Sequence, residues 1–97
     1  MKDKNAVEIF LRERVAAAVE PRTRFAIGSF EDECFCLVSE DQRWLVGFVE
    51  RGKFSPEATF SNPISAAKYL ILLILDRRGG FDFPGVDWSG YASLPDY

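Results

Sequence analysis

Three groups of side chains could do chemistry: a thiol pair, Cys34 and Cys36; two runs of carboxylates, Glu31-Asp32-Glu33 and Glu40-Asp41; and an acidic, aromatic C-terminal stretch. The cysteines stand two positions apart in an apolar run. On a strand they project from one face in line along one chain, which is poor geometry for a mutual disulfide. The sequence contains no histidine. That removes the commonest general base and metal ligand, and with them Ser-His and Cys-His nucleophiles and a completed structural zinc site. Buried thiols acting as small hydrophobes are the expectation. Both carboxylate runs fall in polar breaks, and a solvated turn carboxylate is a weak acid or base at pH 7. Consecutive Glu31, Asp32 and Glu33 diverge instead of encircling a calcium ion. Arg78-Gly79-Gly80 follows a predicted helix, whereas a phosphate cradle precedes one. The reading is of a protein without catalysis, metal or cofactor.

Charge narrows the partners. Twelve Lys and Arg against fifteen Asp and Glu leave a net charge of -3, and no more than two basic residues adjoin (Arg77-Arg78), so nucleic acid is not expected. Residues 1–78 are balanced, and the net charge comes from Asp82, Asp87 and Asp96. The stretch 79–97 also holds Phe81, Phe83, Trp88, Tyr91 and Tyr97, and disordered tails are poor in aromatics. It is therefore expected to pack on the domain. Its rings either seal a sheet face or meet a partner, and both hold if inner rings pack and outer ones face outward. The candidate partner contacts are Asp82, Asp87, Trp88, Tyr91 and Asp96, with Glu40, Asp41, Glu50 and Arg51 as a second patch. For Glu50 and Arg51 the alternative is plain edge charges beside a turn glycine, Gly52.

The elements that must position these groups form one domain over 1–97, without internal repeats. Val7, Phe10, Leu11, Val15 and Ala18 recur at helical spacing over 3–19, with Lys4, Glu8, Arg12 and Glu13 on other faces; Asp3 is a plausible cap, and Glu20-Pro21 ends the helix. Strand-like runs follow at 24–30, 33–39 and 44–51, with a shorter one at 57–60. The breaks at 30–33 and 40–43 suit hairpin turns, so an antiparallel meander is expected. The second and third strands are apolar on both faces, so two helices, or one helix with a tail or a partner chain, must cover them. A second helix spans 64–78. Ser61 or Asn62 caps it, Pro63 suits its first turn, Arg77 and Arg78 suit its C-terminus, and Gly79 closes it. Tyr69 to Leu75 is apolar all round, which means either a central helix or a homodimer interface through Leu70, Leu73 and Ile74. The predicted fold is α+β, in the order α-β-β-β-(β)-α-tail. A ligand pocket between sheet and helix, lined by Phe25, Phe35 and Trp44, is an alternative use of this architecture. That seven-residue run is the longest uninterrupted apolar one, too short to cross a bilayer. Free thiols and the charged N-terminal segment point to the cytoplasm.

The third strand and second helix together carry a resemblance. Trp44-Leu45-Val46-Gly47-Phe48-Val49-Glu50-Arg51-Gly52, then Phe60, then Ala66 with Tyr69-Leu70, resembles small bacterial immunity proteins encoded beside polymorphic toxins, in particular those that neutralise NAD-hydrolysing toxins. The likeness covers residues 44–75. It implies a cytoplasmic, non-catalytic protein that binds a cognate toxin and blocks its active site. An acidic inhibitor facing a basic cleft would gain association rate from electrostatic steering.

Overall fold

A computed structural model describes residues 2–75 and 86–96. The chain forms α1 (Lys4–Ala18), β1 (Phe25–Ile27), β2 (Cys34–Glu40), β3 (Arg43–Glu50), β4 (Lys53–Phe60), α2 (Pro63–Leu75) and a short 3-10 turn (Ser89–Ser93). This is the α+β order expected, with the fourth strand fully formed. The predicted C-terminal end of the second helix at 76–78, together with Gly79, Phe81, Asp82, Phe83 and Tyr97, lies outside the described residues.

The strands form one mixed sheet in the order β1-β2-β3-β4. From β2 to β4 it is the expected antiparallel meander, but β1 runs parallel to β2, with Phe25 opposite Phe35 and Ile27 opposite Leu37. Gly28 explains the difference. At φ +90°, a conformation that costs glycine little, it ends β1 after three residues, and residues 28–33 return to the level at which β1 began. The loop is then fastened: the Glu33 N–H donates to the Val49 carbonyl at 2.7 Å, and both cysteine thiols donate to the Glu31 carbonyl. β4 starts four residues earlier than expected. The Arg51-Gly52 turn, with both residues at positive φ, closes a two-residue hairpin, and a register shift leaves Glu57 unpaired.

Asn62 caps α2, its side-chain oxygen accepting from the Ile64 N–H at 2.8 Å. Asp3 stands before α1 without capping through its side chain; its backbone is held instead, the N–H by the Pro95 carbonyl at 2.8 Å and the carbonyl by the Val7 N–H at 3.0 Å.

Both helices share one face of the sheet. Val7, Leu11 and Val15 of α1 meet Ala66, Leu70 and Ile71 of α2 over Ile27, Leu37 and Val46, all fully buried or nearly so. The expectation that helices, a tail or a partner must cover the other face is corrected at one end of the sheet. There Ala26, Cys34, Cys36 and Val49 are buried under Phe54 and the 28–33 loop, all from the chain itself. α2 is thus the central helix, and Leu70 lies wholly inside the chain's own core, with Leu73 and Ile74 packed against it.

Glu8 departs from the helical pattern. Expected off the apolar face of α1, its side chain is only 9% exposed; one carboxylate oxygen lies 4.0 Å from Arg12 and the other has no hydrogen-bond partner. The slot exists because Gly28 has no Cβ: one placed there would lie 2.6 Å from the Glu8 carboxyl carbon.

Candidate functional site

The described part of the tail packs on α1. Tyr91 packs against Phe10 with ring centroids 6.1 Å apart, and Gly90 passes so close that a Cβ would sit 3.2 Å from the Phe10 ring. Arg14 stacks on the Phe10 ring, 4.5 Å from its centroid, and donates to the Asp87 carbonyl at 2.6 Å. Lys2 donates to the carbonyls of Ala92 and Leu94 and pairs with Asp96 at 3.8 Å. Trp88 and Tyr91 are half-buried against the core, and burial raises the Tyr91 phenol above its ordinary pKa. Asp87 is exposed, and hydrogen bonds from Ser89 hold its carboxyl below the usual value. Of the five tail contacts expected, two are ring lids, Asp87 and Asp96 face outward, and Asp82 lies outside the described residues.

The second expected patch is split by the sheet. Glu40 and Asp41 belong to the β2–β3 turn, while Glu50 and Arg51 form the β3–β4 turn at the other end of β3. The length of β3 separates them, about 23 Å at the usual rise. The two ends have different chemistry.

At the β2–β3 end, the start of α1, the start of α2 and the end of the tail surround a recess of about 820 Å³. Trp44 and Val7 lie beneath it, both buried, and Ser39, Gln42, Ser61 and Tyr91 line it as well. Asp96 also lines it, which brings one tail contact to the same end as Asp41. The two central turn residues, Asp41 and Gln42, have φ of 51° and 63°, where glycine would be favoured at the second position. Of the predicted pocket trio, Trp44 lines this recess, whereas Phe25 and Phe35 pack on the core instead.

At the opposite end, the β1–β2 loop and the β3–β4 turn are stapled together: the Gly52 N–H donates to the Asp32 carboxylate at 2.8 Å. Glu31, Asp32, Glu33, Glu50 and Arg51 are all exposed there. Among them stands Phe30, 58% exposed, its ring 4.9 Å from that of half-buried Phe54. Phe30 was not among the residues expected to meet a partner. The signal for it was an aromatic residue directly before three acids, in a segment whose polarity reads as a turn.

Burial, and then the neighbouring Cys36, push the Cys34 thiol up to about 11. Among the described residues, no three acidic or thiol groups converge to hold a metal ion, and no helix is long and apolar enough to cross a membrane. Comparison with family models, curated proteins and solved structures gives no match for the chain.

Proposed function

We propose that this protein is a cytoplasmic, non-catalytic inhibitor of the immunity type, which binds a cognate bacterial toxin and occludes its active site. The observation that supports the reading is the Phe30 surface. A large aromatic ring stands out in solvent on a second ring, next to Glu31, Asp32 and Glu33 and beside the Glu50-Arg51 turn. Exposed aromatics within a polar rim anchor protein interfaces, and carboxylates around them favour a basic partner surface. Glu50 and Arg51 belong to this interface, whereas Trp88 and Tyr91 pack against the core, and Tyr91 lines the recess at the opposite end. The resemblance of residues 44–75 supplies the toxin class, an NAD-hydrolysing enzyme with a basic cleft.

The test is inhibition. A toxin captured with this protein should lose NAD hydrolysis when the protein is added in equimolar amount. A partner that hydrolyses NAD at its full rate inside the complex would remove occlusion as the mechanism.

A further inference from the structure

We infer that Asp32 is a positioning residue of the Phe30 surface: its carboxylate fixes the Arg51-Gly52 turn against loop 28–33, so that the two meet a basic partner as one preformed unit. The inference rests on the Phe30 surface being the one that binds. Asp32 and Gly52 lie 20 positions apart in sequence, and the 2.8 Å bond from the Gly52 N–H to the Asp32 carboxylate joins loop to turn directly. The neighbouring ties run through the loop backbone instead. The Glu31 carbonyl accepts from both thiols, the Asp32 carbonyl accepts from Arg24 at 3.4 Å, and the Glu33 N–H donates to Val49. Loop 28–33 is thus held to the sheet by its main chain, and the Asp32 side chain carries that order across to the turn. The backbone adds a second observation. Glu33 at φ 60° and Arg51 at φ 54° stand on either side of the staple, and neither is glycine. Such conformations persist where their surroundings hold them, and they gather at binding sites. Loops held before the encounter spare the complex the entropy of ordering them.

The test compares Asp32→Ala with Asp32→Asn, which keeps an oxygen to accept from Gly52 but not the charge. In the free protein, Asp32→Ala should speed amide exchange at Gly52 and across 28–33 about tenfold while β2 and β3 keep their protection, and Asp32→Asn should stay near wild type. Binding is then read at physiological salt with the protein that the wild-type bait retains from native-host lysate. Asp32→Ala should weaken it about tenfold, and Asp32→Asn by less than about threefold. Unchanged exchange at Gly52 in Asp32→Ala would overturn the staple whatever the partner does. Wild-type affinity in Asp32→Ala, with Phe30→Ala weakened, would overturn the positioning role and leave the Phe30 surface standing. Equal weakening by both Asp32 variants would also overturn it, because the Asp32 charge would then itself meet the partner. Full retention by Phe30→Ala, or nothing retained by wild type, would overturn the reading of the surface and this inference with it.

Discussion

Cys34 and Cys36 show how far burial sets reactivity. Both are free, both are buried, and the two thiols share the Glu31 carbonyl. Burial keeps reagent from both thiols, so both should resist alkylation at pH 8 in the native protein and react fully once it is unfolded in urea, as mass spectrometry would read. The Cys34 shift has a stability consequence of definite sign. With its pKa raised from 9.0 to about 11, the folded state holds a proton that the unfolded state releases across that window. Stability should therefore fall as pH rises from 9 to 11 and be insensitive to this group below that range, and a Cys34→Ala variant should lose this part of the pH dependence in urea titrations. Gly47 is constrained by space. A Cβ there would overlap the Ser55 carbonyl and lie 2.8 Å from the Pro56 Cα, both backbone atoms of β4. Gly47→Ala should cost about 1–3 kcal/mol in chemical denaturation, the usual range for forcing atoms into a packed site.

At the scale of elements, the tail lid makes a separable claim. If the Phe10–Tyr91 contact and the Lys2 bonds hold residues 86–96 on α1, Tyr91→Ala should raise hydrogen exchange across 86–96 while β2 and β3 keep their protection. Equal loosening of the sheet would mean that the tail is part of the core. Both helices and the antiparallel β2–β4 meander were legible because apolar spacing and turn signals act locally, whereas the all-apolar circumference of α2 left a central helix and a homodimer interface as alternatives. What was not legible depended on atoms distant in sequence. Gly28 reverses the chain, so β1 pairs parallel. It also leaves the slot that buries Glu8. β4 was read too short because Ser55, Pro56 and Glu57 lack strand propensity; pairing with β3 and a register shift at Glu57 override it. Among the candidate contacts, the separation of Glu40-Asp41 from Glu50-Arg51 follows directly from a hairpin, whereas the prominence of Phe30 depended on the unforeseen course of its loop.

The whole molecule presents two unlike ends joined by one sheet, with α1 and α2 packed against each other on one of its faces. Because Leu70 has no exposed surface and Leu73 and Ile74 pack beside it, the protein should sediment as a monomer at micromolar concentration. Net charge enters here as well. With -3 over 97 residues and acids gathered around Phe30, association with a basic partner should be fast at low salt and slow as salt rises. Reversing Glu31 and Glu33 to Lys should reduce the association rate and flatten its salt dependence, while Phe30→Ala should act on dissociation, raising it about tenfold or more if the ring is an anchor.

The most direct measurement is affinity capture from the native host, with wild-type protein and the Phe30→Ala variant as parallel baits, each checked for folding. The account predicts one stoichiometric partner on the wild-type bait, toxic when expressed alone, and strongly depleted from Phe30→Ala. A wild-type bait that retains no such partner would contradict the immunity reading, and equal retention by both baits would contradict the Phe30 surface as its site.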